Sequence, residues 1–131
     1  MSHWTKVKTK LSNREILKKA LERMGLEYSE GNHTITQYGT TEKAELKLDN
    51  AVGFSEQKDG TFAMVGDFWH SNNSKLKRYY GKNDQFTADV STAYAIEEAK
   101  HNLEEQSFYC SENAEAKIGE DGLIRMVFER Y

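Results

Sequence analysis

The sequence contains no proline and a single cysteine, and its apolar runs are short, as in Ala63-Met64-Val65. Each absence closes off a class of protein. Nothing approaches the roughly 20 apolar residues that a membrane-crossing helix needs, which argues against a membrane protein. Lone Cys110 has no partner for an intramolecular disulfide, and the opening Met1-Ser2-His3-Trp4-Thr5-Lys6 lacks the apolar stretch of a secretory signal, so a reducing cytoplasm is the expected setting. The missing proline also removes the commonest mark of a linker. A length of 131 residues sits at the usual size of one domain, and a single domain spanning 1–131 is expected.

What is present is charge and aromatic surface. Charged residues make up 30% of the chain against 37% apolar, which predicts a modest core under a heavily charged exterior. Two Trp, seven Tyr and six Phe supply large areas to bury, which a disordered chain lacks. The net charge of −3 hides an uneven distribution. Lys6, Lys8, Lys10, Arg14, Lys18, Lys19 and Arg23 face only Glu15 and Glu22 in the first 24 residues, whereas residues 84–121 carry ten acids against Lys100 and Lys117. Such a split either marks a partner surface or lets the two segments face each other.

Strict alternation at the start predicts a strand with Thr5, Val7, Thr9 and Leu11 on one face and Trp4, Lys6, Lys8 and Lys10 on the other, wet face. Ser12 followed by Glu15 reads as a capping box opening a helix over 12–24, whose inward residues are Ile16, Leu17, Ala20, Leu21 and Met24 and whose stop is Gly25-Leu26. An antiparallel meander follows, with strands over 34–38, 44–48, 52–56 and 61–68 and Asp59-Gly60 as its clearest hairpin turn. A short basic helical piece runs from Ser74 through Tyr80. A longer helix over 87–106 has Thr92, Ile96, Ala99 and Leu103 as its stripe, widened by Val90 and Tyr94, with Glu97, Glu98, Glu104 and Glu105 on a solvated side. Two strands, 107–116 and 123–130, close the chain. The order predicts an α+β fold in which two main helices cover one face of an antiparallel sheet, an expanded ferredoxin-like arrangement whose strand order the pattern leaves open.

Constellations that carry chemistry are absent. His3, His33, His70, His101 and Cys110 fall on different predicted elements, and Asp67 with His70, the nearest mixed pair, sits at the spacing of a turn; no metal is expected. Cys110 lies beside Phe108 and Tyr109 in a predicted strand, an apolar setting that does not activate a thiol. Adjacent glutamates on a helix diverge, so Glu97-Glu98 and Glu104-Glu105 cannot close on one bond. No glycine loop is followed by Lys-Ser or Lys-Thr, and no cofactor is expected. These absences favour a non-enzymatic protein. The alternative is nucleic-acid binding by Lys75, Lys77, Arg78, Tyr79, Tyr80 and Lys82, where cations surround possible stacking platforms. Residues 60–65 have the glycine-aromatic start of RNA-recognition strands, but Thr61 interrupts that pattern and Asp59 replaces its basic residue. With negative overall charge, a protein partner is the stronger expectation.

The opening nine residues, Met1 to Thr9, together with the helix bearing Ile16, Leu17, Ala20 and Leu21, resemble the conserved hypothetical plastid reading-frame family, shared by algal chloroplasts and cyanobacteria and carried by some bacteriophages. The resemblance extends through 62–67, the helix carrying Tyr94 and the closing strand 123–129. That family has no established activity. The resemblance implies a small accessory or adaptor protein of the cytoplasm or stroma that docks on a larger protein, an AAA-type ATPase among the candidates, and it makes Trp4, Lys6, Lys8 and Lys10 the expected partner surface.

Overall fold

In a computed structural model the described residues are 4–105, with 108–110, 117–118, 124–125 and 128–130 as strands beyond them. The chain runs β1 (Thr5–Lys8), α1 (Arg14–Arg23), β2 (Ser29–Glu30), β3 (Thr34–Gln37), β4 (Thr40–Lys43), β5 (Leu46–Lys47), β6 (Val52–Glu56) and β7 (Phe62–Gly66), then a 3₁₀ turn (Phe68–His70), α2 (Ser74–Lys77) and α3 (Asn83–Glu105). Four short strands follow, β8 (Phe108–Cys110), β9 (Lys117–Ile118), β10 (Ile124–Arg125) and β11 (Phe128–Arg130), paired antiparallel as β8 with β11 and β9 with β10. The rest of the expected closing strands lies outside the described residues.

The main sheet has five antiparallel strands in the order β1-β7-β6-β5-β2. Its class is the expected one, α+β with both main helices on one face. Pairing places Val7 opposite Met64, Met64 opposite Phe54 and Phe54 opposite Leu46, so these side chains share the face that α1 and α3 cover. Phe86 of α3 closes this core, with its ring centroid 6.1 Å from Phe54, 4.9 Å from Phe68 and 5.0 Å from Tyr79.

Helix α1 begins one residue later than the Ser12 capping box predicts. Asn13 is the cap: its Oδ1 accepts from Ile16 N–H at 3.2 Å, while its own N–H donates to the Tyr94 hydroxyl at 3.0 Å. That tertiary bond holds Asn13 extended and so selects it over Ser12. The helix ends as expected, with Gly25 at φ +72° and Leu26 N–H donating to Leu21 C=O at 3.0 Å. Helix α3 starts at Asn83, a turn before the expected Thr87, and its buried residues are Phe86, Val90, Ala93, Tyr94 and Ile96. Thr92, Ala99 and Leu103 are half-buried, so the inward stripe is rotated from the expected one. The extra turn brings in Phe86, the largest apolar side chain on the helix, and burying it sets the rotation.

The meander differs from expectation at 34–43. Strands β3 and β4 form a separate hairpin, tipped by Tyr38 at φ +55° and Gly39 at φ +77°, which lies across the other face of the main sheet. Ile35 and Ala44 pack there on Val65 and on Trp4. At Gly53 the approach is so close that a Cβ would stand 2.9 Å from Ala44 Cβ and from Ile35 Cδ1. Strand β7 ends at Gly66 and not near Phe68, because Asp67 Oδ1 accepts from Trp69 N–H at 3.0 Å and starts the 3₁₀ turn. The expected Asp59-Gly60 turn is present, with Asp59 Oδ1 accepting from Thr61 N–H at 2.9 Å and Gly60 at φ +85°. The Thr61 hydroxyl, donating to the same oxygen at 2.6 Å, and then this N–H hold the Asp59 carboxyl below its ordinary pKa. Among the described residues no helix is long and apolar enough to cross a membrane.

Candidate functional site

Three of the four bases of α1 are paired among the described residues, and Arg23 is the one that reaches the acidic segment 84–121. Arg14 pairs with Glu30 at 3.6 Å and with Glu56, Lys18 pairs with Glu15 at 3.2 Å and Glu30 at 3.1 Å, and Arg23 reaches across to Glu97 of α3 at 3.4 Å. The Glu30 carboxyl is held below its ordinary pKa, first by the Lys18 hydrogen bond, and Lys18 is raised in turn. Glu97, expected on the solvated side, is instead largely covered by this bridge.

The lysine row behaves differently. β1 stands at one end of the main sheet, and Lys6, Lys8 and Lys10 are exposed, on the face opposite Val7 and Leu11. Lys6 Nζ pairs with Glu42 of β4 at 3.0 Å. Lys8 and Lys10 make no ion pair among the described residues. Trp4, placed on the same wet row by alternation, is half-buried against Ile35, Ala44 and Val65, because the β3–β4 hairpin covers that part of the face. On the outer side of the same strand a cleft of about 420 Å³ separates residues 8–11 from Asp84, Thr87, Ala88 and Ser91 at the start of α3.

The basic segment 75–82 is dispersed by the fold. Lys75 Nζ donates to Gly25 C=O at 2.9 Å, binding an orphan carbonyl at the end of α1. Tyr79 is buried at 4% exposure, its hydroxyl donating to Asp89 at 2.6 Å, and Arg78 lies over its ring at 4.9 Å while donating to its hydroxyl at 3.0 Å. Burial, then the bond to Asp89, pushes the Tyr79 hydroxyl above its ordinary pKa. Tyr79 is therefore core and no stacking platform. Phe62, in the strand compared with RNA-recognition domains, is likewise buried under the helices. Lys77 and Lys82 remain exposed and Tyr80 is half-buried against the core, joined by a residue that sequence reasoning missed. Trp69 is 49% exposed, its ring 5.1 Å from that of Tyr80, with Lys77 Nζ 5.4 Å from its centroid.

Beside Trp69, the Tyr38 hydroxyl lies 3.0 Å from Asp67 Oδ2 and 2.7 Å from His70 Nε2. If Tyr38 donates to the buried Asp67 carboxylate, it accepts from His70, a chain that pins the hairpin tip to the 3₁₀ turn. So Asp67 and His70 do converge, on a tyrosine. Among the described residues no three His, Cys, Asp or Glu side chains converge as metal ligands. His3 lies outside the described residues, and so does the side chain of Cys110.

A family model described as Protein of unknown function (DUF1257) matches residues 20–127. The chain belongs to this family. An uncharacterised family was the expectation from the resemblance, although the matched span begins inside α1 and leaves out β1 and its lysines. No curated protein and no solved structure matches the chain.

Proposed function

We propose that this is a non-enzymatic accessory protein that holds a larger protein partner on the lysine-bearing edge of its sheet. One observation carries the reading. Of the seven basic residues in the first 24, Lys6, Arg14, Lys18 and Arg23 are paired within the fold, whereas Lys8, Lys10 and Lys19 make no ion pair among the described residues, and of these Lys8 ends an edge strand with Lys10 two residues beyond it. Like charges so placed repel one another and give an isolated protein nothing, but they suit an acidic partner. The competing use of edge lysines is to keep a strand from pairing with other chains. On the family resemblance, the partner to try first is an AAA-type ATPase, and the setting is the cytoplasm of a cyanobacterium or phage-infected host, or the plastid stroma.

Affinity capture from the native host with the wild type and with Lys8→Glu/Lys10→Glu tests this. The variant leaves the Lys6–Glu42 pair and the inward Val7 and Leu11 untouched. A specific partner lost by the variant supports the reading. Retention of every specific partner leaves edge protection as the explanation.

A second reading, single-stranded nucleic acid, draws on the exposed Trp69 against Tyr80 with Lys77 and Lys82 nearby. With so few cations, binding of this kind is weak and salt-dependent. Titration of labelled strands at two salt concentrations decides it: tight binding that survives physiological salt and disappears in Trp69→Ala would put this reading first.

A further inference from the structure

We infer that the partner is held as an added strand, an extended segment of alternating acidic and small apolar residues that pairs with the open edge of β1. This deepens the reading above and rests on it. Three observations converge on one edge.

The first is main-chain geometry. Thr9 N–H donates to Phe62 C=O at 3.1 Å, so Thr5, Val7 and Thr9 direct their backbone groups at β7. The backbone groups of Lys6 and Lys8 therefore point away from the sheet and have no backbone partner among the described residues; past Lys8 the ladder is irregular, with Phe62 N–H donating to Leu11 C=O at 2.8 Å. An edge of this kind is a template for another strand. Lipid headgroups and nucleic acid offer phosphates to the lysines but no ladder to the backbone.

The second is the cleft beside that edge. Lys8, Thr9, Lys10 and Leu11 line one side of it, and the small Thr87, Ala88 and Ser91 of α3 leave room on the other for the side chains an incoming strand directs toward the helix. Asp84 stands at the rim and disfavours acidic side chains there.

The third is charge. Along β1 the lysine row alternates with Val7 and Thr9, so Lys8, and Lys10 just beyond the strand, meet every second side chain of the added strand. Because strand side chains alternate, one segment satisfies both faces only if acidic residues recur every second position with small apolar ones between them. Pairing of β1 with β1 of a second copy would set lysine rows against each other, which argues against self-association.

The test uses labelled peptides of equal composition, one alternating (Glu-Val-Glu-Thr-Glu-Val) and one blocked (Glu-Glu-Glu-Val-Thr-Val), titrated onto the full chain by fluorescence anisotropy, with amide exchange followed by NMR. The alternating peptide should bind about tenfold tighter than the blocked one. It should slow exchange of the Lys6 and Lys8 amides, while those of Val7 and Thr9 are already protected. Affinity should fall in Lys8→Glu/Lys10→Glu and also in Ala88→Trp, which fills the cleft from an exposed site and leaves the lysines in place. Equal affinity of the two peptides, binding without protection of the outward amides, no binding at millimolar peptide, or a dimer through β1 by ultracentrifugation would each overturn the added-strand proposal. If host capture still depends on Lys8 and Lys10 in any of those cases, the lysine-edge reading survives; if it does not, both fall.

Discussion

The two faces of the main sheet are packed by opposite means. The helix-covered face is filled with volume: Phe54, Phe62, Met64, Leu46 and Val52 meet Leu17, Leu21, Phe86 and Val90. The hairpin-covered face is fitted around an absence, with Gly53 giving Ile35 and Ala44 the room to lie against the strands. Damage should therefore differ in kind. On the first face the dangerous change removes atoms, and on the second it adds them.

Phe86→Ala should be the most destabilising of the substitutions considered, by about 3–5 kcal/mol in urea unfolding, because three aromatic neighbours cannot all collapse into the gap. Gly53→Ala should cost about 1–3 kcal/mol by overlap with Ile35, Ala44 and the Leu46 carbonyl oxygen, and adding Ile35→Val should recover only the part due to Ile35. Recovery is what separates overlap from a cavity; a double variant less stable than Gly53→Ala alone would break the comparison. Asn13→Ala should cost about 1 kcal/mol, the ordinary loss of a helix cap, with no effect at the hairpin-covered face.

The smallest effect concerns the rim of the helix-covered face, where Glu30 meets Lys18 and Arg14. Its carboxyl has a folded pKa below the unfolded value of about 4.3, so its contribution is complete above that value and is lost as pH falls through the lower folded one. Wild type and Glu30→Gln should therefore differ slightly at neutral pH and converge in acid. A difference that persists in acid would show that Glu30 acts through packing and not through charge.

Legibility in the sequence follows the same division. Helix α1, its glycine stop, the Asp59-Gly60 turn and the inward facing of Val7 and Leu11 were readable because their signals lie within a few residues of each other. The cap at Asn13 was not, since Tyr94 chooses it from 81 residues away. The β3–β4 hairpin was absorbed into the meander because its short strands read like their neighbours, and its tip residue Tyr38 lacks the usual preference for positive φ. At the candidate sites, the sequence identified Lys6, Lys8 and Lys10 as an outward row, but it treated Trp4 as their equal and offered Tyr79 as a platform where the structure exposes Trp69.

By itself, then, the sequence determined period and sign: which residues alternate, which face is apolar, where charge accumulates and where the chain can turn. Tertiary structure alone decided which charges are neutralised and which edge of the main sheet has no partner strand among the described residues. Pairing Arg23 with Glu97 or Lys6 with Glu42 requires segments 74 and 36 residues apart to meet, and covering Trp4 requires the hairpin to cross the sheet. No local pattern encodes those distances; they are set by which large side chains, Phe86 and Phe54 above all, must leave water together.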